Sequence, residues 1–248
     1  MSRTPSNQRV TKAERKEQAR RERIELQRKA ARSRRNRRIV VIGLAVAVAG
    51  VAVFAFTRPG TEVPSPQELL ANVEEARSRA GCGEVQDVGA YEPRAQDRAH
   101  VPPEAMPPLA SYASTPPASG PHNEITFGSG VYSTAPPIER LLHSLEHGAA
   151  VVWYAPDATG EELERIRAFY EDEEVGGRVI VAPYDYPEQG AAGILPAGAR
   201  MSLVSWHHVQ ACERLDLAAA FGFTSRYAAP AFGQQQYRGN APEAGSPF

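Results

Sequence analysis

The stretch HSLEHG, at residues 143–148, combines residue types that bind transition metals. His143 and His147 are four residues apart, and Glu146 directly precedes the second histidine. Residues at this spacing lie on one side of a helix, one turn apart, so two imidazoles placed in this way can bind a single ion. The alternative is the polar outer side of an ordinary helix, in which His147 interacts favourably with the negative end of the helix dipole.

The apolar pattern around the histidines predicts the direction in which they point. One helical face is formed by Ile138, Leu141, Leu142 and Leu145. With Ile138 at zero and about 100° per residue, His143 falls at about 140°, His147 at about 180° and Glu146 at about 80°. We therefore predict a short helix that turns its leucines to the core and presents both histidines on its bare side.

A third nitrogen donor would complete a metal site, and His122 is the best placed candidate. It ends the segment PPASGPH, and a proline-containing loop holds a side chain with a small loss of conformational entropy. We predict a site formed by His122, His143 and His147, in which Glu146 orients a ring or a water instead of binding the ion. Imidazole ligands favour zinc or copper over calcium and magnesium, which prefer oxygen.

Catalytic motifs are scarce in this chain. HSLEH fits the H-x-x-E-H pattern of inverted zinc peptidases, but only three residues are fixed and Gly148 follows at once. The sequence contains neither a G-x-S-x-G nucleophile elbow nor a P-loop. A hydrolase that uses Glu146 or Glu124 as a base beside a metal stays open, so the sequence leaves undecided whether the protein is an enzyme.

An uncharged run without proline, IVVIGLAVAVAGVAVFAF, extends from Ile39 to Phe56. As a helix it is about 27 Å long, close to the thickness of the hydrocarbon core of a bilayer. We predict one transmembrane helix at residues 39–57, with the N-terminus in the cytoplasm because the arginines lie before it. A cleaved signal peptide is the rival interpretation, but the preceding segment is too long for one and no small-x-small cleavage site follows.

Charge is divided unequally along the chain. Residues 1–38 hold fifteen Lys and Arg and four Glu, whereas the remainder holds 13 basic and 25 acidic residues. We predict that residues 1–38 are a basic cytoplasmic tail that contacts anionic lipid headgroups. We expect no nucleic acid as partner, because this tail has no aromatic residue for stacking on bases.

Cys82 and Cys212 are the two cysteines of the chain, and both follow the apolar run. The predicted orientation places them outside the cell, where an oxidising environment favours a disulfide between them. Two unpaired thiols are the alternative. A bridge would close a loop of 130 residues, which loop entropy makes worth roughly 5 kcal/mol.

Local patterns predict the elements that would position these residues. Residues 58–80 form a proline-rich spacer and a short helix, which begins at a Ser65–Glu68 capping box and ends at Gly81. Residues 92–137 contain ten prolines and are expected to be irregular but ordered, with a disordered linker as the alternative.

Regular elements are predicted from Ile138 onward. Strands are expected at residues 149–155, 178–184 and 201–206, and helices at residues 138–147, 161–175 and 214–227, the second opened by a capping box at 159–162. This order predicts an α+β fold. It would be a single compact extracytoplasmic domain at residues 81–248 with a small mixed sheet, preceded by the transmembrane helix.

Five short motifs in combination resemble a known family. They are YASTPPASGPH (112–122), GVY (130–132), HSLEHGAAVVWY (143–154), VAPY (181–184) and NAPE (240–243). Together they resemble the bacterial membrane-anchored family called domain of unknown function 3105, from about Gly81 to Glu243. The resemblance implies the same layout of basic tail, anchor and outer domain with a cysteine near each end, and it implies no established activity.

The family pattern also matches single residues of this chain. It has histidines at the positions of His122, His143 and His147, and a glutamate at Glu146. It has an aromatic residue at Trp206, which the resemblance therefore places beside the ligands with Glu146. This chain departs from the pattern after Trp206, where a glycine is expected and a histidine stands.

The sequence thus predicts a single-pass protein of the cell membrane whose outer domain binds zinc or copper through three histidines. The alternative is a non-catalytic binding or scaffold module without metal. In that case the acidic surface and the proline-rich loops would contact a protein partner of the cell envelope.

Overall fold

The computed structural model describes residues 63–248. The predicted basic tail (1–38) and transmembrane helix (39–57) lie outside the described residues. From residue 63 onward, every helix is too short or too polar to span a bilayer.

Six strands form one mixed sheet in the centre of the domain. They are β1 (Gln86–Asp87), β2 (Gly130–Val131), β3 (Ala150–Tyr154), β4 (Val179–Pro183), β5 (Met201–Ser205) and β6 (His208–Cys212). Their order across the sheet is β1-β6-β5-β3-β4-β2. The pairs β2–β4 and β4–β3 are parallel, and the pairs β3–β5, β5–β6 and β6–β1 are antiparallel. The predicted α+β class with a mixed sheet is confirmed.

Six α-helices accompany the sheet. They are α1 (Pro66–Ala71), α2 (Val73–Ala80), α3 (Ile138–Glu146), α4 (Glu161–Tyr170), α5 (Glu173–Gly176) and α6 (Leu217–Tyr227), all within the described part of the chain. Short 3-10 helices lie at Arg94–Gln96, Pro103–Ala105, Leu109–Ser111 and Pro187–Gly193. Residues 92–137 are therefore ordered and largely irregular, as predicted, and the two-residue strand β2 is the one strand among them.

Helix ends follow the sequence signals at one capping box and depart from them at the other. The Ser65 hydroxyl accepts a hydrogen bond from the Glu68 N–H, and the Ser65 N–H donates one to the Glu68 carboxylate at 2.8 Å. This pair of hydrogen bonds caps the start of α1. The capping box predicted at residues 159–162 does not form. Gly160, with φ of 107°, stands at the N-cap of α4 without a side-chain hydrogen bond.

Each face of the sheet is buried under its own hydrophobic core, because successive side chains of a strand point to opposite faces. On one face, Val152 packs with residues of α1, α2, α4 and α6. On the other face, Val151 and Trp153 pack with the leucines of α3 and with aromatic residues of the irregular segment. The helix that carries HSLEHG is thus held against the second face by its predicted apolar side.

The predicted disulfide is confirmed. Cys82 and Cys212 are bonded, with an S–S distance of 2.06 Å. Cys82 lies just after α2 and Cys212 ends β6, and the Gly83 N–H donates to the Ala211 carbonyl beside them. The bridge therefore fastens the start of the domain to the sheet.

Candidate metal centre

Four side chains that can bind a metal converge between α3 and the irregular segment. His100, His122, His143 and Glu146 each offer one ligand atom, and these four atoms lie within 4.8 Å of one another. The ring centroids of His122 and His143 are 5.0 Å apart, and that of His100 is 5.0 and 4.7 Å from them. A tetrahedral site with bonds of about 2.0–2.1 Å holds its donors within about 3.5 Å, so small side-chain rotations would bring these atoms into range.

His100 and His122 are fixed by direct pairing of their backbones. They form an isolated parallel bridge in which the His122 N–H donates to the Ala99 carbonyl and the Val101 N–H donates to the His122 carbonyl, at 3.0 and 2.8 Å. Two segments that are 22 residues apart in sequence thereby present their imidazoles side by side.

The loop before His122 is fixed by a glycine and a tyrosine. Gly120 has φ of 121°, and a Cβ atom there would lie 2.7 Å from the Tyr112 ring, so glycine is required on both counts. The buried Tyr112 hydroxyl donates to the Pro121 carbonyl at 2.7 Å. The proline-containing loop is therefore rigid at the place where it delivers His122.

Helix α3 supplies the other two residues. Its leucines pack on the sheet. On the opposite side, the Ser144 hydroxyl accepts a hydrogen bond from the Phe127 N–H and donates one to the Phe127 carbonyl. The irregular segment therefore covers the side of the helix that we predicted to be bare. As a result His143 and Glu146 are buried, at 6% and 1% exposure, and the prediction of an open histidine face is wrong.

The ring of His122 has an assigned tautomer. Its Nδ1 lies 2.8 Å from the Gly120 carbonyl, which can only accept, so Nδ1 carries a proton. Its Nε2 lies 2.9 Å from Oε2 of Glu146, yet the two atoms lack the alignment of a hydrogen bond. Nine buried side-chain atoms of the described residues lack a hydrogen-bond partner, and three of them, His122 Nε2, His143 Nδ1 and Glu146 Oε2, converge in this one cluster. Such atoms are rare in folded proteins, and an unseen ion is one of the recognised reasons for them.

The two carboxylate oxygens of Glu146 have different contacts. Its Oε1 accepts a hydrogen bond from the Arg98 guanidinium, which also contacts Glu243 at 2.8 Å. Its Oε2 faces His122 and His100, at 2.9 and 3.8 Å. Burial opposes ionisation, but the close approach of the His122 ring and the hydrogen bond from Arg98 outweigh it and lower the pKa of Glu146 to about 2. The group is therefore an anion at neutral pH.

The electrostatics of His143 favour a neutral ring. Burial lowers its pKa, and the neighbouring rings of His122, His147 and His100 lower it further. A neutral imidazole has a free electron pair, which is the form that binds a metal. The centre therefore combines one carboxylate anion with nitrogen donors in a pocket from which water is largely excluded.

Comparison with known proteins tests the predicted resemblance. The sequence matches the family described as protein of unknown function (DUF3105) over residues 106–243, which is more than half of the chain. The chain belongs to the DUF3105 family. No curated protein and no solved structure matches it.

The DUF3105 match covers three of the four clustered residues. His122, His143 and Glu146 lie within residues 106–243, and His100 precedes them. The family description gives no activity, so the chemistry of this centre rests on the residues themselves.

His147 lies outside the cluster of this DUF3105 domain. Helix α3 ends at Glu146, and His147 is its C-cap, with φ of −79° and ψ of 0°. The His147 ring turns to the C-terminal segment, where its Nδ1 lies 2.7 Å from the Pro247 carbonyl and its Nε2 lies 3.3 Å from Glu243. Of the three predicted histidines, the structure brings His122 and His143 together. The His147 ring also lies beside that of His143, with centroids 4.5 Å apart, but its nitrogens face the C-terminal segment, and His100 supplies the third nitrogen of the cluster.

Trp206 lies beside the cluster, as the resemblance implied. Its buried ring meets the His122 ring edge-on, with centroids 6.0 Å apart. It forms the β5–β6 turn with His207, which adopts a left-handed backbone with φ of 61°. The glycine expected there would adopt that conformation readily. Here the histidine contacts Asp97 at 2.8 Å and so fastens the segment that carries His100.

Two residues of the centre were not predicted from the sequence, His100 and Arg98. Both lie in the irregular segment, where no periodicity indicates which side chains face inward. A weak signal existed for His100. It is one of only six histidines in the chain, and like His122 it lies beside prolines, which restrict the backbone. Its pairing with His122 arises only when the two segments meet in the fold.

Proposed function

We propose that the DUF3105 domain binds one divalent transition-metal ion, zinc or copper, through His100, His122, His143 and Glu146. The observation that supports this most directly is the convergence of three buried polar atoms that lack partners, on His122, His143 and Glu146. Leaving such a group unsatisfied costs about 1–3 kcal/mol, and an ion would satisfy all three at once.

The chemistry of the donors supports the choice of metal. Three imidazole nitrogens and one carboxylate oxygen suit zinc and copper, whereas calcium and magnesium prefer sites made of oxygen. The Gly120 carbonyl holds the Nδ1 proton of His122 and leaves Nε2 as the donor. Arg98 holds one oxygen of Glu146 and leaves the other for the ion. Such outer contacts are the usual means of orienting metal ligands.

Charge balance also supports an ion at this position. Without one, the short distance between His122 Nε2 and Glu146 Oε2 is attractive only when the ring carries a second proton. With an ion, the two atoms become neighbouring donors to the same cation. One positive centre then compensates the buried carboxylate while the rings stay neutral.

A matched pair of variants on α3 tests this function. The full chain, purified in detergent without a polyhistidine tag, is dialysed against zinc and separately against copper, and bound metal is measured. We expect about one ion per chain, and we expect His143→Ala to weaken binding by about 100-fold or more, as loss of a ligand outweighs loss of an outer contact. His147→Ala, four residues away, should bind as the wild type does.

The opposite results would contradict the proposal. A wild-type chain that binds neither metal would leave the cluster as a buried ion-pair network and favour the binding or scaffold module. Equal losses in His143→Ala and His147→Ala would refute a ligand set that includes the first histidine and leaves out the second.

We also propose that residues 39–57 anchor the domain in the cell membrane, with the basic tail on cytoplasmic lipid headgroups and residues 63–248 outside. The support is the length of the apolar run and the arginines before it. The disulfide is consistent with an oxidising compartment.

A further inference from the structure

We propose that His100 is a removable outer ligand, through which the bound ion is exchanged with chelating ligands in solution. The ion would then be cargo of the domain, taken up and given away, and not a permanent structural part. This inference rests on the proposed function, because it concerns the same centre. Three of the four ligands are buried, and the fourth, His100, is half exposed.

The exposure of the four ligands differs sharply. The side chains of His122 and Glu146 are 0% and 1% exposed, and His143 is buried as well. The side chain of His100 is 48% exposed. Solvent and any incoming ligand therefore reach the centre from the side of His100.

The half-exposed His100 ring is a direct neighbour of all three buried ligands. Its centroid is 4.7 Å from that of His143, and its Nε2 is 3.8 Å from Oε2 of Glu146. Rotating this ring away would remove one neighbour from each of the three buried residues. The ion would stay bound to them while one coordination position opens.

Opening the centre requires no rearrangement of the backbone. His100 is held by its bridge to His122, and the segment before it is fastened through Asp97, which accepts from Ser119 at 2.7 Å and lies against His207. An exposed side chain changes rotamer within nanoseconds, whereas a buried side chain is held in place by close-packed neighbours. The ring of His100 is thus the part of the centre that moves most readily.

The exchange step is balanced. One bond between the ion and the His100 imidazole breaks, and one bond between the ion and a donor of the incoming ligand forms, without a change in oxidation state. The freed imidazole regains its electron pair and takes up any proton that the incoming ligand loses. Transfer is complete when the three inner bonds are replaced in the same manner.

Stopped-flow transfer of zinc to a coloured chelator, 4-(2-pyridylazo)resorcinol, tests the role of His100. For the zinc-loaded full chain we expect a transfer rate that rises in proportion to chelator concentration, since the chelator enters at the open position. His100→Ala should still bind one zinc per chain but transfer it about 10-fold faster, because the competing ligand is gone. His208→Ala, a histidine on β6 outside the centre, should transfer zinc at the wild-type rate.

Three outcomes would overturn the inference. A wild-type rate independent of chelator concentration would show that the ion leaves by spontaneous release from a closed site. A wild-type transfer rate in both His100→Ala and His100→Gln would show that this ring does not control exchange. Loss of stoichiometric zinc in His100→Ala, with zinc retained by the wild type, would make His100 an essential ligand. In all three cases zinc binding by the wild type would leave the proposed function standing, whereas a wild-type chain that bound neither zinc nor copper would refute both proposals.

Discussion

Glu146 is the residue on which the charges of the centre depend. It is buried, it is held by Arg98 and His122, and its pKa is lowered to about 2. A carboxyl whose pKa is lower in the folded state stabilises the fold above its unfolded pKa, near 4.5. That stability is lost as the pH falls through the folded value.

We therefore predict a specific dependence on pH for the metal-free protein. Between about pH 5 and pH 2 the wild type should lose about 1–3 kcal/mol of its free energy of unfolding through this one group. Glu146→Gln should be less stable at neutral pH and should lack this component, so that the two proteins converge in acid. Urea titrations at a series of pH values, after dialysis against a chelator, give the comparison.

Glu104→Gln, at an exposed position of the 3-10 helix Pro103–Ala105, is the control for that experiment and should keep the wild-type slope. An equal slope in wild type and Glu146→Gln would show that Glu146 is not selectively stabilised as an anion in the fold.

At the residue scale the sequence was informative where side-chain spacing on a helix decides the outcome. It placed His143 and Glu146 next to the third donor His122, which the structure brings together. It correctly placed the His147 ring beside that of His143, with centroids 4.5 Å apart, but it could not show that the His147 nitrogens face the C-terminal segment. It could not find His100, whose position depends on a backbone bridge between distant segments.

At the scale of elements, the disulfide between the end of α2 and the end of β6 gives the clearest prediction. Replacing both Cys82 and Cys212 by Ser opens a loop of 130 residues and should lower the free energy of unfolding by about 2–5 kcal/mol. Zinc affinity should be unchanged, because the bridge packs in the core on the opposite face of the sheet from the centre. Chemical denaturation and zinc titration of the double variant measure the two quantities. A large loss of zinc affinity in a folded variant would contradict the separation of the two faces.

Elements with a strong local pattern were predicted, and those defined by pairing were not. The central strands β3, β4 and β5 are buried on both faces. Strands β3 and β4 are short continuous apolar runs, and β5 is mostly apolar, with buried Ser202 and Ser205. Strand β6 was missed because the polar residues His208 and Gln210 interrupt its apolar run. Strands β1 and β2 have two residues each, and only their hydrogen bonds to a neighbouring strand distinguish them from loop.

At the scale of the whole molecule, the prediction concerns the side of the membrane on which the domain lies. Alkaline phosphatase fused after Phe248 should be active in cells, because it folds only where disulfides form. Green fluorescent protein at the same position should be dark. Deleting residues 39–57 should reverse both results, and an inactive phosphatase fusion on the intact chain would contradict the orientation.

The two ends of the sheet have a consequence for how neighbouring copies of this domain behave. The outer edges are formed by β1 and β2, each two residues long, and beyond β1 the free side of β6 is occupied by the Cys82–Gly83 segment. Long open edges are the usual starting point for aggregation by addition of strands between molecules. The edges of this sheet offer little unpaired backbone for pairing between molecules. The folded domain should therefore resist this kind of aggregation even at high local concentration.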